Sequence, residues 1–304
     1  MSLLRCHFFA LTISLTGCVS SSQAPAPAGQ NPSPMQEHTR VHERLPEKPL
    51  DGISFEIPGI LPKSVSVFVP PSVGRGEPFD LLVHFHGAAF VVNTAVSRLD
   101  QPMVGVSVNL GAGSSVYERP FLDESVFRTL LAAVGDSLVA RGVSDRVPNR
   151  VFLSAFSAGY GAVRAILRRD SEKVAGVLLL DGFHTDYVPD GRVLFEGGTL
   201  GTEKLTPFVY FARSAVNGSK RMVITHSEIF LGTFASTTET TDYLIEQLGL
   251  SREPVVEWGP GGMQLLSRTY AGHLTILGFA GNTAPDHVDH LHGLPEFLRM
   301  LLDS

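Results

Sequence analysis

The chain has only two cysteines, Cys6 and Cys18, both close to its amino end. A fold that begins after them can have no internal disulfide, thiolate metal ligand or thiol nucleophile. Charge is scarce as well: Asp, Glu, Lys and Arg make up 18% of 304 residues, with a formal net charge of −6. No run of Lys and Arg interrupts that balance, which argues against a nucleic-acid partner. Long apolar runs are missing, since Phe8 to Leu15 is too short to span a bilayer stably. There is no internal repeat, Walker loop, dinucleotide fingerprint or zinc-protease motif, so no cofactor is expected. The single tryptophan, Trp258, carries no readable signal. Apolar residues are plentiful at 43%, enough to fill one large core.

The amino end separates from the rest. Arg5 gives a small positive region and Phe8 to Leu15 a short apolar one, as in a cleaved signal peptide. Leu15-Thr16-Gly17-Cys18 resembles the lipobox of bacterial lipoproteins. That resemblance implies a signal peptide over residues 1–17, lipid on Cys18, and a lipid-anchored position in the bacterial cell envelope, periplasmic or at the outer membrane. An ordinary signal peptide with an unrelated cysteine is the alternative. Residues 18–49 are rich in Ser, Pro, Ala, Gln and Asn without apolar periodicity, and read as a disordered tether. The membrane is then met only through the lipid, and the folded part spans 50–304.

Within that part, strands alternate with helices. Apolar or alternating runs at Ile53–Ile57, Ser64–Pro70, Phe79–Phe85, Met103–Leu110, Val151–Leu153, Val174–Leu180, Arg221–Thr225 and Leu274–Phe279 predict strands. VAGVLLL at 174–180 is continuous enough for a parallel strand buried on both faces. Helical spacing marks Glu124–Ala140, Ala162–Arg169, Ser236–Leu248 and Leu294–Leu302, while Gly281 to Gly293 reads as a loop. The alternation predicts a single α/β domain, a mostly parallel sheet with helices on both faces. Chemistry in such sheets collects at the carboxyl ends of strands.

Several polar residues fall at those ends. Ala155-Phe156-Ser157-Ala158-Gly159 follows a short strand and precedes a helix, with small residues two before and two after the serine. A sharp strand-to-helix turn that lifts a nucleophile needs this composition. The pattern resembles the Gly-x-Ser-x-Gly elbow of the α/β-hydrolase family, with Ala155 replacing the first glycine. FDLLVHF followed by His86-Gly87-Ala88-Ala89 resembles the oxyanion loop after the third strand of that family. The resemblance makes the backbone N–H groups of Ala158 and of Gly87 or Ala88 the oxyanion donors. His84 and His86 could also suggest a metal pair, but no carboxylate accompanies them and packing is the plainer role.

A serine hydroxyl needs a base, and the base needs an acid. His287-Val288-Asp289-His290-Leu291, with Pro295 beyond, resembles the terminal His-x-x-His-Leu…Pro segment of many α/β hydrolases, which implies His287 as base, with His290 the alternative. His287, His290 and His292 could bind a metal, but no fourth ligand presents itself, so no metal is expected. Two acids qualify. Asp181 ends the strand after the elbow helix, as in some lipase-like members, and Glu228 lies past the next strand, where most members carry theirs. An aspartate is usual a few residues beyond that second position, where this chain has Ile229 and Phe230, which favours Asp181.

The order Ser157, Asp181 or Glu228, His287 matches the family's triad order. It implies a serine hydrolase that cleaves carboxylic esters, either of a small molecule or of an acyl chain. A peptidase or amidase using the same triad is the first alternative, and acyl transfer to an alcohol stays open. A catalytically silent binding lipoprotein is the alternative of another class, although binding alone has no need of all three triad residues. Residues 182–220 are long enough to cap a pocket and carry Phe183, Tyr187, Phe195, Phe208, Tyr210 and Phe211. Aromatics there could hold an apolar acyl or aryl group or simply pack.

Overall fold

The computed structural model describes residues 42–304. The signal peptide, Cys18 and most of the tether lie outside the described residues. Ten strands form one sheet: β1 (Ile53–Ile57), β2 (Val65–Val69), β3 (Asp80–Phe85), β4 (Met103–Val108), β5 (Val151–Phe156), β6 (Val174–Leu180), β9 (Arg221–His226), β10 (Glu253–Trp258), β11 (Gln264–Ala271) and β12 (Leu274–Phe279). Their spatial order is β1-β2-β4-β3-β5-β6-β9-β12-β11-β10. The six strands from β4 to β12 run parallel, and β1, β2, β10 and β11 pair antiparallel at the two edges. A separate two-stranded ribbon joins β7 (Tyr187–Val188) to β8 (Thr199–Leu200).

Side chains alternate across the pleat, so each central strand feeds two cores. Leu81, Val83, Val177 and Leu179 face one side. Helices α3 (Glu124–Ala140), α4 (Tyr160–Asp170), α5 (Thr206–Val216) and α6 (Thr237–Gln247) cover that side, burying Leu130, Ile166, Phe208 and Leu244. Leu82, Leu178 and Leu180 face the other, where α1 (Ala89–Ser97) and α8 (Leu294–Asp303) bury Val92, Phe297 and Leu301. Strands buried on both faces must be apolar throughout, as β6 is. A short helix α2 (Ser114–Glu118) leans on α4, where Glu118 pairs with the buried Arg164 at 2.6 Å.

Two segments depart from expectation. The stretch read as a loop at 281–293 contains a helix, α7 (Ala284–His292). Thr283 caps the Asp286 N–H while the Asp286 carboxylate returns to Thr283, and Pro285 sits in the first turn, so the start is fixed by a reciprocal box. Glycines at both ends disguise it. The second departure is the β10–β11 hairpin, in which β10 is largely exposed and β11 half-buried, with Arg268 pairing across it to Glu253 and Glu257. Residues 42–45, at the end of the expected tether, lie along α7: His42 and Arg44 pair with Asp289, and the Leu45 N–H donates to His292 Nδ1. Among the described residues, no helix is long and apolar enough to cross a membrane.

Candidate active site

Three non-glycine residues have a positive φ among the described residues: His86 at 71°, Ser157 at 46° and Asp181 at 41°. They immediately follow β3, β5 and β6, neighbours in the sheet. Such backbone costs about 1–3 kcal/mol per residue and persists only where the surroundings over-determine it. Among the described residues, all the strain of this kind therefore sits at the carboxyl edge of three adjacent parallel strands.

At Ser157 the cause is the elbow. β5 ends in the buried Ala155 and Phe156, and the chain turns at once through a short 3-10 turn into α4. A Cβ on Gly159 would lie 2.1 Å from the Phe85 carbonyl oxygen, so only glycine lets the helix start that close to β3. Beside it, a Cβ on Gly182 would lie 2.4 Å from the Ser157 oxygen and 2.6 Å from its nitrogen. The residue after Asp181 thus packs directly on the backbone of the serine.

Asp181 is 2% exposed and accepts four hydrogen bonds. Its Oδ1 takes the Ser227 N–H at 2.9 Å and the Thr237 hydroxyl at 2.8 Å. Its Oδ2 takes the Ser227 hydroxyl at 2.7 Å and His287 Nδ1 at 2.7 Å. Burial opposes ionisation, yet His290 nearby, the bond from His287 and the Ser227 N–H hold the carboxyl well below the usual carboxylate range. An ionised carboxylate only accepts, so the proton of neutral His287 lies on Nδ1 and its Nε2 carries a lone pair. The His287 ring in turn lies 4.5 Å from that of Phe156, the residue preceding Ser157.

The other candidates are engaged elsewhere. Glu228 braces the strand ends, its N–H bonding to the Gly281 carbonyl and its Oε2 accepting the Gly281 N–H. His290 is buried, bonded through Nδ1 to the Thr225 hydroxyl at 2.8 Å and packed edge-on to Phe279. His292 accepts from Leu45, so the three late histidines meet three different partners. Elsewhere, His42, Asp286 and Asp289 bring ligand atoms within 4.8 Å of one another. Those carboxylates already serve the Thr283 cap and the Arg44 ion pair, and the guanidinium there disfavours a cation.

The loop after β3 is held by the two early histidines. His84 Nε2 donates to the His86 carbonyl at 2.8 Å, leaving Nδ1 to accept from the Ser154 hydroxyl at 3.0 Å. Complete burial pushes the His84 pKa down to about 4, so the ring stays neutral. His86 Nδ1 reaches the Tyr117 hydroxyl at 2.8 Å, which also receives the Leu110 and Gly111 N–H groups. Burial, then nearby His287, lower the His86 pKa. Gly87 and Ala88 follow, and Ala88 caps α1 in extended conformation. Gly87, Ala88 and Ala158 accordingly lie at helix starts, where backbone N–H groups are unclaimed and favour negative charge.

Ser227, Thr237, Ser154 and Tyr117 escaped the sequence reading as site residues. Ser227 had one usable signal, its position directly after a strand beside Glu228. Tyr117 had none, lying 31 residues from the histidine it holds.

A pocket of about 270 Å³ adjoins Ser157, lined by Ser114, Ala158, Tyr160, His184 and Phe234 among others. The His184 ring stands edge-on to both Tyr160 and Phe234, and its Nδ1 donates to the Ala235 carbonyl.

No protein-family model matches the sequence, and no curated protein matches it. Solved structures do share the fold. One is a variant of the feruloyl esterase module from Clostridium thermocellum in complex with sinapinate, at 13% identity and a TM-score of 0.50, over 86% of this chain and 96% of that one. Another is the BES protein from Bacillus cereus, at 10% identity and a TM-score of 0.51, over 85% and 98%. A thermostable esterase superimposes at 16% identity and a TM-score of 0.47, over 83% of this chain; the chain spans 62% of its length. At these identities the likenesses with TM-scores of 0.50 and 0.51 concern the fold alone, a mixed α/β sheet flanked by helices.

Proposed function

We propose that the protein is a serine hydrolase that cleaves carboxylic esters through an acyl-enzyme on Ser157. The observation that carries the reading is the buried, ionised Asp181 at 2.7 Å from His287 Nδ1, at the same sheet edge as a serine on a strained elbow. His287 Nε2 takes the Ser157 hydroxyl proton as Oγ attacks the ester carbonyl carbon. The carbonyl π electrons move onto oxygen, where the N–H groups of Ala158 and of Ala88 or Gly87 stabilise the anion. Collapse of this intermediate expels the alkoxide, which takes its proton from the imidazolium. Water, deprotonated by His287, then attacks the acyl-enzyme and returns the serine. Asp181 fixes the tautomer and stabilises the imidazolium throughout.

The pocket beside Ser157 is smaller than the roughly 300–1,000 Å³ of drug-sized sites, and its walls combine the rings of Tyr160, His184 and Phe234 with small and polar residues such as Ser114, Thr185 and Asp186. It suits a short acyl chain or a single aryl ring. Lipid attachment at Cys18 and an envelope location belong to the same proposal and rest on the Leu15–Cys18 pattern. Intact mass of the mature chain isolated from membranes tests them, by a diacylated amino terminus that Cys18→Ala removes.

The test of the chemistry is labelling by a fluorophosphonate, read by peptide mapping. One adduct on Ser157, absent in Ser157→Ala and strongly slowed in His287→Ala, supports the mechanism. Normal labelling in His287→Ala would move the base to His290, and no labelling of folded protein would favour a binding role. An amide panel turning over much faster than esters would replace the ester assignment.

A further inference from the structure

At the opposite end of the sheet, where β5, β6, β9 and β12 begin, lies a cavity of about 730 Å³. Its lining includes apolar groups, among them Leu131, Pro148 and Ala175, together with four cations, Arg150, Lys173, Lys220 and Arg221. Two of these are matched by carboxylates: Arg150 pairs with Asp80 at 2.7 Å, and Lys173 with Asp170 at 2.9 Å and Glu172 at 2.7 Å. Lys220 spends its ammonium on the carbonyl oxygens of Glu172 and Val174 at 3.1 and 2.6 Å, and burial pulls its pKa down.

Arg221 is different. It is half-buried at the first position of β9, and no described carboxylate pairs with it. Its Nη1 is shielded from solvent and has no hydrogen-bond partner among the described residues. A buried N–H without an acceptor costs on the order of 1–3 kcal/mol, more on a charged group, and protein interiors rarely leave one unanswered. The wall's only carboxylate, Glu172, is already committed to Lys173. The cavity therefore has two cations, Lys220 and Arg221, without a matching acid, in a lining that also carries apolar side chains.

We infer that this cavity is a second binding site, remote from Ser157, for a small amphipathic carboxylate. A rotation of the Arg221 side chain that brings the shielded Nη1 into the cavity would let its guanidinium meet the carboxylate, Lys220 would add charge, and the apolar body would lie against Leu131 and Pro148. A monoanion is favoured because the Lys220 ammonium is already held by two backbone carbonyls, which leaves one guanidinium to be answered.

The test is a titration of the full chain in nonionic detergent with 4-fluorobenzoate, followed by fluorine NMR. Saturable binding is expected, at least tenfold weaker in Arg221→Met, more modestly weaker in Lys220→Met, and unchanged in Ser157→Ala. Thermal melting of Arg221→Met is expected at or above the parent value, because the substitution removes a half-buried cation whose Nη1 has no acceptor; that separates lost binding from lost folding. Equal binding by Arg221→Met, or no saturable binding by the parent chain, overturns the inference. Displacement of the probe by inorganic phosphate at lower concentration than by benzoate overturns the carboxylate class.

Discussion

Replacing Asp181 by Asn tests the proposed mechanism most sharply, because the structure dictates how the amide must sit. Four donors converge on the carboxylate, two on each oxygen. If the new NH₂ took the Oδ1 position it would face the Ser227 backbone N–H, which cannot reverse. If it took the Oδ2 position it would face the Ser227 hydroxyl, which can turn to accept, and His287 Nδ1. The second arrangement leaves no donor opposed to a donor, provided that His287 moves its proton from Nδ1 to Nε2. The imidazole then offers an N–H where the mechanism needs a lone pair, and the carboxylate charge that would steady the imidazolium is gone. A loss in kcat of about 10⁴ is expected from this wrong tautomer, with folding intact. The assay is p-nitrophenyl acetate hydrolysis beside fluorophosphonate labelling, with circular dichroism to show an unchanged fold. Asp181→Asn within tenfold of the parent enzyme would refute the assignment of the acid.

Three further outcomes follow from the same geometry. Glu228→Gln should keep kcat within about threefold, since that carboxylate meets Gly281 and not His287; a loss comparable to that of Asp181→Asn would reverse the choice of acid. Gly182→Ala should cost about 3 kcal/mol by urea unfolding and slow the labelling of Ser157, because its methyl collides with the serine backbone; unchanged stability and labelling would show that this contact is absent. Stability should also fall on acidification. Burial lowers the pKa of His84 to about 4 and of His226 to about 3, in the latter with help from Arg252. Below pH 6.5 the unfolded chain therefore takes up protons that the folded chain refuses. Their contribution is complete above pH 6.5 and is lost toward pH 4 for His84 and pH 3 for His226, with a slope of about 1.4 kcal/mol per pH unit for each group. Denaturant midpoints that stay flat between pH 7 and pH 5 would contradict it.

The sheet was legible because its central strands are buried on both faces. A run such as Val174–Leu180 has to be apolar at every position, and that requirement is visible without neighbours. The β10–β11 hairpin was invisible for the opposite reason: it is only partly apolar, with Leu265 and Val255 meeting the core while Arg268 faces Glu253 across the strands, a pairing that exists only once the chain is folded. Helix α7 lay between these cases. Its Thr283–Asp286 box is written in the sequence, but three histidines and two flanking glycines concealed the apolar face formed by Val288 and Leu291.

The site divides along the same line. The residues proposed as nucleophile and base, Ser157 and His287, stand in local signals, the elbow's small residues and the His-x-x-His-Leu segment. The groups that set the electrostatics do not. Ser227 and Thr237 reach Asp181 across 46 and 56 residues, and the Ser154–His84 bond spans 70. One mark of the site was nevertheless present. His86 and Asp181 each precede a glycine, and Ser157 has one two residues on. Non-glycine residues with positive φ survive where the next segment can approach closely enough to pin them, as Gly182 does against Ser157. The glycines mark where the backbone is pinned, one or two residues after each strained position.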